Sequence, residues 1–410
     1  MRQSSGVVHR LWTRWQTWLG LLCIATPAHP TPFHQAELIF SLEEWHNHAS
    51  SLVELPNGDL FAVWYHGSGE RTADDVLIQA ALLKRGSRQW TPRYTIADVK
   101  GFPDCNPALF LDRKNRLWLI WPTILANLWE TALLNLRITS ELDRLWEPPT
   151  WQRAENLLFE PRNFEARVKR VVEPLLAQAP PDSREAAYLK RVLQLAADKL
   201  SRRLGWMPRA HPIQLPSGRI LVPLYSDGFS FSLIAISDDE GETWTSSEPI
   251  VGWGAIQPSL ALRRDGTLVA YMRDNGPPPK RLHVSYSTDG GETWTPATDT
   301  ELPNPGSAAE VINLRDGSWA LVYNDTESGR YSLAISISED EGKTWRWTRH
   351  LEFDPQRRNA YHYPSLIQAR DGTLHVTYSY FVVGPDGKTR KSIKHVQFNV
   401  EWVKEGDPPH

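Results

Sequence analysis

The chain has 410 residues with 48 acidic against 45 basic side chains, a formal charge of −3 at pH 7. That balance leaves no basic stripe for a phosphate backbone, so nucleic acid is excluded as an expected partner. The length exceeds that of a small fold, yet no composition break marks a second domain once one helical insertion is set aside.

The first 28 residues read as an export signal. Arg2, His9, Arg10 and Arg14 precede the apolar run Trp18–Ala25, and Thr26-Pro27-Ala28 offers a small-residue cleavage site before His29. The run is too short to span a bilayer, so stable membrane insertion is not expected and the destination is periplasmic or secreted. Gly20-Leu21-Leu22 before Cys23 fits a lipoprotein signal poorly. Cleavage would remove Cys23 and leave Cys105 alone, so the mature chain would have no intramolecular disulfide.

Beyond the leader, short turns flanked by β-rich runs recur at Pro56-Asn57-Gly58, Lys114-Asn115, Ser217-Gly218, Asp265-Gly266, Asp316-Gly317 and Asp371-Gly372. Each is followed by a strand pattern such as LFAVWY, LWLIW or TLVAYM, which predicts six hairpins. They stand 48 to 58 residues apart, except that Asn115 and Ser217 are separated by 102. The long gap holds NFEARVKRVVEPLLAQ and SREAAYLKRVLQLAADKLSRRL, where apolar residues recur at three and four around Pro180-Pro181. Two amphipathic helices are predicted within an insertion over residues 141–204, either shaping a cleft or covering apolar surface.

Three octapeptides follow: Ser237–Trp244, Ser287–Trp294 and Ser338–Trp345, each Ser-x-Asp-x-Gly-x-Thr-Trp and 50 and 51 residues apart. Asp and Gly close a tight turn and Trp supplies apolar area, so each reads as a fold staple. The period is that of a propeller. Six units over residues 38–402, with the insertion between the second and third, predict an all-β, six-bladed β-propeller, because radial repetition leaves only short, protected sheet edges. The 19 Trp sit mostly in these hairpins, although aromatic faces also suit sugar rings.

The octapeptides, the six turns and the leader together resemble the sialidase (neuraminidase) superfamily, in particular bacterial sialidase-like proteins with BNR, or Asp-box, repeats. The resemblance implies an arginine triad for a substrate carboxylate, a Tyr nucleophile activated by Glu, and an Asp acid/base in the first blade. Counting back eight from Asp371 places the nucleophile at Tyr363; Arg281 fits the second arginine, and Arg330 more loosely the third. Asp74 and Asp75 of ERTADD occupy the acid/base stretch. Two positions depart: His48 stands where the first arginine is expected, and Gln257 where the activating Glu is expected. Gln cannot accept a proton, so the tyrosine would lose its base.

The residues support a site without that resemblance. His48, Asn106, Arg209, Gln257 and Tyr363 each stand near the start of a blade's inner strand and should converge at the axial mouth. His46 shares a strand face with His48, and His211 follows in the third blade. With Arg273 and Arg281, the guanidinium groups favour an acidic glycan or glycoconjugate, a sialic acid or a uronic acid alike. His-Asn-His on a strand is not a strong ligand pattern, so neither metal nor other cofactor is expected.

Three functions remain open: a sialidase-like exo-glycosidase, a uronate-directed lyase exchanging a proton through His48 and Tyr363, and a glycan-binding propeller without catalysis. Oligomeric state leaves no trace.

Overall fold

The computed structural model describes residues 31–408, together with Met1 and Gly6. The expected leader and Cys23 lie outside the described residues. Six antiparallel sheets follow one another along the chain, five with four strands and the third with five. Their inner strands are His46–Glu54, Ala108–Leu111, the pair Met207–Pro208 and Ile213–Gln214, Ala255–Leu262, Glu310–Asn313 and Ala360–Gln368. The third is in two pieces, both paired to Ile220–Ser226. The N-terminal strand His34–Leu38 pairs with Lys394–Phe398 and completes the sixth sheet, so first and last segments close the ring. The architecture is a six-bladed β-propeller, and closure protects edges that an open sheet would expose.

Strand alternation assigns the two faces. Each inner strand runs into one of the six short turns, so those turns and the three octapeptides lie on the lower face. Connections between blades, and the loops joining second to third strands, lie on the upper one. The octapeptides are staples there: Asp239 accepts from the Thr243 backbone N–H at 2.9 Å and its hydroxyl at 2.6 Å, and from Ser237 at 2.8 Å. Those donors hold the Asp239 carboxyl down at about 2. Gly241 at φ +89° lies against the buried Trp118 of the neighbouring blade, where a Cβ would stand 2.3 Å from the ring.

Blades are joined around the axis by a recurrent serine. Ser51 Oγ accepts from Leu109 N at 2.9 Å, Ser259 Oγ from Val311 N at 3.0 Å and Ser365 Oγ from Leu52 N at 2.9 Å. Between blades five and six Glu310 takes that part, accepting from Leu366 N at 2.7 Å while its other oxygen meets His211 at 2.7 Å. Buried polar groups that find partners across blades fix the spacing of the inner strands.

The insertion is shorter than expected. Arg153–Asn156 forms the outer strand of the second blade, so the 141–204 boundary is corrected to the stretch between that strand and Met207. It carries helices α1 (Phe164–Gln178) and α2 (Arg184–Ala197), α2 capped by Ser183. Phe164, Val168, Val172, Leu189 and Val192 share one core with Trp118, Phe229 and Phe231 of blades two and three. The Tyr188 hydroxyl donates to the Phe229 carbonyl at 2.9 Å, fixing α2 to an upper loop. The helices are therefore a buttress built into the core. Cys105 is a free, buried thiol. No helix among the described residues is long and apolar enough to cross a membrane.

Candidate active site

Near the upper end of four inner strands the backbone takes a left-handed turn at a residue other than glycine: Ala49 (φ 54°), Asn106 (41°), Gln257 (56°) and Tyr363 (57°). Three coincide with register shifts, between His48 and Ser51, Ile256 and Ser259, and His362 and Ser365. A bulge re-aims the side chain it carries, here toward the axis. A bulky residue in this region costs about 1–3 kcal/mol, so the surrounding structure must hold it there. Such strain clusters at functional sites.

A cavity of about 300 Å³ opens on the upper face and is lined by His48, Asn106, Gln257, Arg273, Arg330 and Tyr363, with Tyr65, Glu70, Trp129, Tyr225 and Asp227 completing the wall. Tyr363 is its centre. Its hydroxyl oxygen accepts from Arg273 at 2.8 Å and from the Gln257 amide at 3.1 Å. The guanidinium carbons of Arg209 and Arg330 each lie 5.4 Å from the Tyr363 ring centre, and the His48 ring lies 4.2 Å from it. Three guanidiniums around one phenol favour an anionic ligand beside it.

The imidazoles beside Tyr363 are neutral instead. Burial, with neighbouring His362, His46 and the arginines adding to it, holds His48 well below the ordinary imidazole range, and His362 behaves alike. His48 Nδ1 meets the Ser379 hydroxyl at 2.7 Å. A neutral imidazole that can take or give a proton thus faces Tyr363 where the family resemblance implies a cation.

Two carboxyl groups share the cavity under opposite conditions. Burial alone would raise the Glu70 carboxyl, but His46 at 3.3 Å and the Tyr65 hydroxyl at 3.2 Å outweigh it and hold it below the usual range. Asp227 is pushed up to about 6 by burial, helped by the charges of Glu130 and Glu70 against Arg273 and Arg71. Both follow the end of a second strand, on the face where loops meet.

Other expected residues go elsewhere, and three are corrected. Asp74 accepts from Asn127 at 2.7 Å, and Asp75 closes its own loop by accepting from Ser68 N at 3.0 Å; neither lines the cavity. Glu70, the first residue of the same ERTADD segment, does. Arg281 is ion-paired to Glu327 at 2.5 Å and lies away from the pocket. The register explains it: Arg273, on the second strand, pairs with Ile256 of the inner strand, whereas Arg281, on the third, pairs with Pro303 of the outer one. Arg209 is buried beneath Tyr363, donating to the carbonyls of Ser50 (2.8 Å), Tyr363 (3.1 Å) and Pro364 (3.0 Å). His46 stands behind the wall, stacked on Tyr65.

Glu70, Asp227, Tyr65, Tyr225 and Trp129 were not singled out by the sequence. All five sit on the last turns of second strands or in the loops that follow, so the residues just beyond each second strand are the signal that finds them.

Comparison with known proteins agrees with this architecture. A BNR repeat-like domain model matches residues 203–376. An anhydrosialidase of Macrobdella decora is 28% identical over 182 residues, 40% of this chain and 23% of that protein. A sialidase of Clostridium perfringens is 29% identical over 127 residues, 27% of this chain and 32% of that protein. The chain thus spans about a quarter to a third of the curated relatives it matches. Among solved structures, the leech intramolecular trans-sialidase complexed with 2,7-anhydro-Neu5Ac superposes with a TM-score of 0.66 at 14% identity, over 88% of this chain and 69% of that one. With its six blades, its octapeptide staples and these matches, the chain carries a BNR repeat-like domain and shares the six-bladed fold of the sialidases it resembles.

Proposed function

We propose that the protein is a glycoside hydrolase acting on an acidic sugar, a terminal sialic acid or a related acidic residue, in which Tyr363 is the reacting oxygen. The observation that carries this reading is the Tyr363 hydroxyl, held by Arg273 at 2.8 Å inside a cavity that also holds Arg330. Guanidinium forks suit a sugar carboxylate, and placing it beside Tyr363 would bring the anomeric carbon to the phenol oxygen. Gln257 donates to the same oxygen at 3.1 Å, so it supports charge on that atom as an amide and not as a base.

One specific observation favours a second reading. A neutral His48 against Tyr363, with Arg273 and Gln257 as donors, also fits β-elimination from a uronate, where donors quench the carboxylate charge and His48 and Tyr363 exchange the proton. Export to the periplasm or medium belongs to the same proposal, since acidic glycans of other cells and matrices lie outside.

The test is incubation with fluorogenic glycosides of sialic and uronic acids. Release of the fluorophore, lost in Tyr363→Phe, supports hydrolysis; an ultraviolet-absorbing unsaturated uronate without hydrolysis supports elimination; binding without turnover leaves a glycan-binding propeller.

A further inference from the structure

The two cavity carboxyls differ in what holds them. Glu70 receives the Tyr65 hydroxyl and contacts His46, which fixes its orientation and its charge. Asp227 lines the same cavity, and among the described residues no side-chain hydrogen bond or ion pair engages it. It follows Tyr225 and Ser226 at the upper end of the third blade's second strand. Its surroundings come from four blades: Glu70 and Arg71 from the first, Glu130 from the second, Tyr225 beside it on its own blade, and Arg273 from the fourth. Two carboxyls whose environments push them in opposite directions leave one holding its proton where the other is ionised, and here the proton stays on Asp227.

We infer that Asp227, supplied by the third blade, is the general acid that protonates the departing glycosidic oxygen at this site. The inference rests on the hydrolase reading above. Both candidates for the expected first-blade acid are otherwise engaged, Asp74 by Asn127 and Asp75 by Ser68. In the step, the bond from the anomeric carbon to the exocyclic oxygen breaks with its electron pair going to that oxygen, which takes the Asp227 proton. The Tyr363 oxygen, received by the N–H donors of Arg273 and Gln257, forms the new bond to the anomeric carbon as its proton passes to the neutral imidazole of His48 beside it. Water then attacks that carbon, gives its proton to the Asp227 carboxylate and returns the bonding pair to the Tyr363 oxygen, which takes its proton back from His48. Aglycone and sugar leave, and all three residues regain their starting forms.

An aryl aglycone leaves with little help from an acid, whereas a sugar aglycone needs it. The experiment compares Asp227→Asn, Asp227→Glu and Glu70→Gln with the unaltered chain on a 4-methylumbelliferyl acidic glycoside and on an acidic disaccharide or trisaccharide, across pH 4 to 9. Asp227→Asn should lose on the order of 10²- to 10³-fold on the sugar-linked substrate and far less on the aryl one. The loss of rate above about pH 6 should vanish with it, and Asp227→Glu should restore part of both. Equal losses on the two substrates, an unchanged pH profile, or leaving-group selectivity in Glu70→Gln instead would overturn the assignment. The two levels fail differently. A chain that cleaves no acidic glycoside overturns the hydrolase reading and the acid with it, while Tyr363-dependent cleavage without Asp227 selectivity overturns the acid alone.

Discussion

Replacing Asp227 by Asn should make the protein more stable at high pH, because the native cavity destabilises the ionised carboxylate. The carboxyl rises from an ordinary 3.8 to about 6 on folding. Below pH 3.8 both folded and unfolded states hold the proton and the residue is neutral toward stability. Between 3.8 and 6 the unfolded state ionises first, so folding becomes progressively less favourable as pH rises; above 6 the cost is constant. At 1.36 kcal/mol per pH unit, the full cost is about 3 kcal/mol at pH 8 and about 1 kcal/mol at pH 4.5. Asp227 is partly open to the cavity mouth, and solvent screening brings these to about half. Asn has the shape of the protonated acid without the ionisation. Urea unfolding of both proteins at pH 4.5 and pH 8 should therefore show Asn gaining about 1–2 kcal/mol at the higher pH, and clearly less at the lower. A variant equally destabilised at both would refute the desolvated carboxyl.

Two further outcomes follow from geometry. Arg273→Ala should raise KM for an acidic glycoside by about 10²-fold, whereas Arg281→Ala, which loses its Glu327 pair and its bond to the Lys280 carbonyl, should leave KM within about twofold; steady-state kinetics on both variants check the register argument. Gly241→Ala places a Cβ against Trp118 at φ +89° and should cost about 2–4 kcal/mol, seen as a lower Tm without a change in KM.

The ring of blades was legible because its signals are local. A turn with glycine or asparagine, a β-rich run and an Asp-x-Gly staple recur at intervals that a propeller requires, and each marks the lower face. The same turns served as a ruler along the inner strands, so His48, Asn106, Gln257 and Tyr363 could be expected at one mouth, and they line one cavity. The ruler ends where the second strand does. Glu70 and Asp227 stand on upper loops of unequal length, whose tips are placed by contacts between blades and not by spacing within one. Arg281 looked equivalent to Arg273 because both flank the same loop; only the pairing, inner against outer neighbour, tells which one faces the axis. Likewise the outer strand Arg153–Asn156 is short and exposed, carrying no apolar alternation to separate it from the helices beyond.

Trapping the covalent intermediate tests the central claim most directly. The protein would be treated with an acidic glycosyl fluoride that carries a second fluorine beside the anomeric centre, which slows breakdown, and its peptides examined by mass spectrometry. The account predicts one glycosyl adduct, on the Tyr363 oxygen, with turnover blocked in proportion. Turnover that continues without an adduct, or an adduct on another residue, would contradict it.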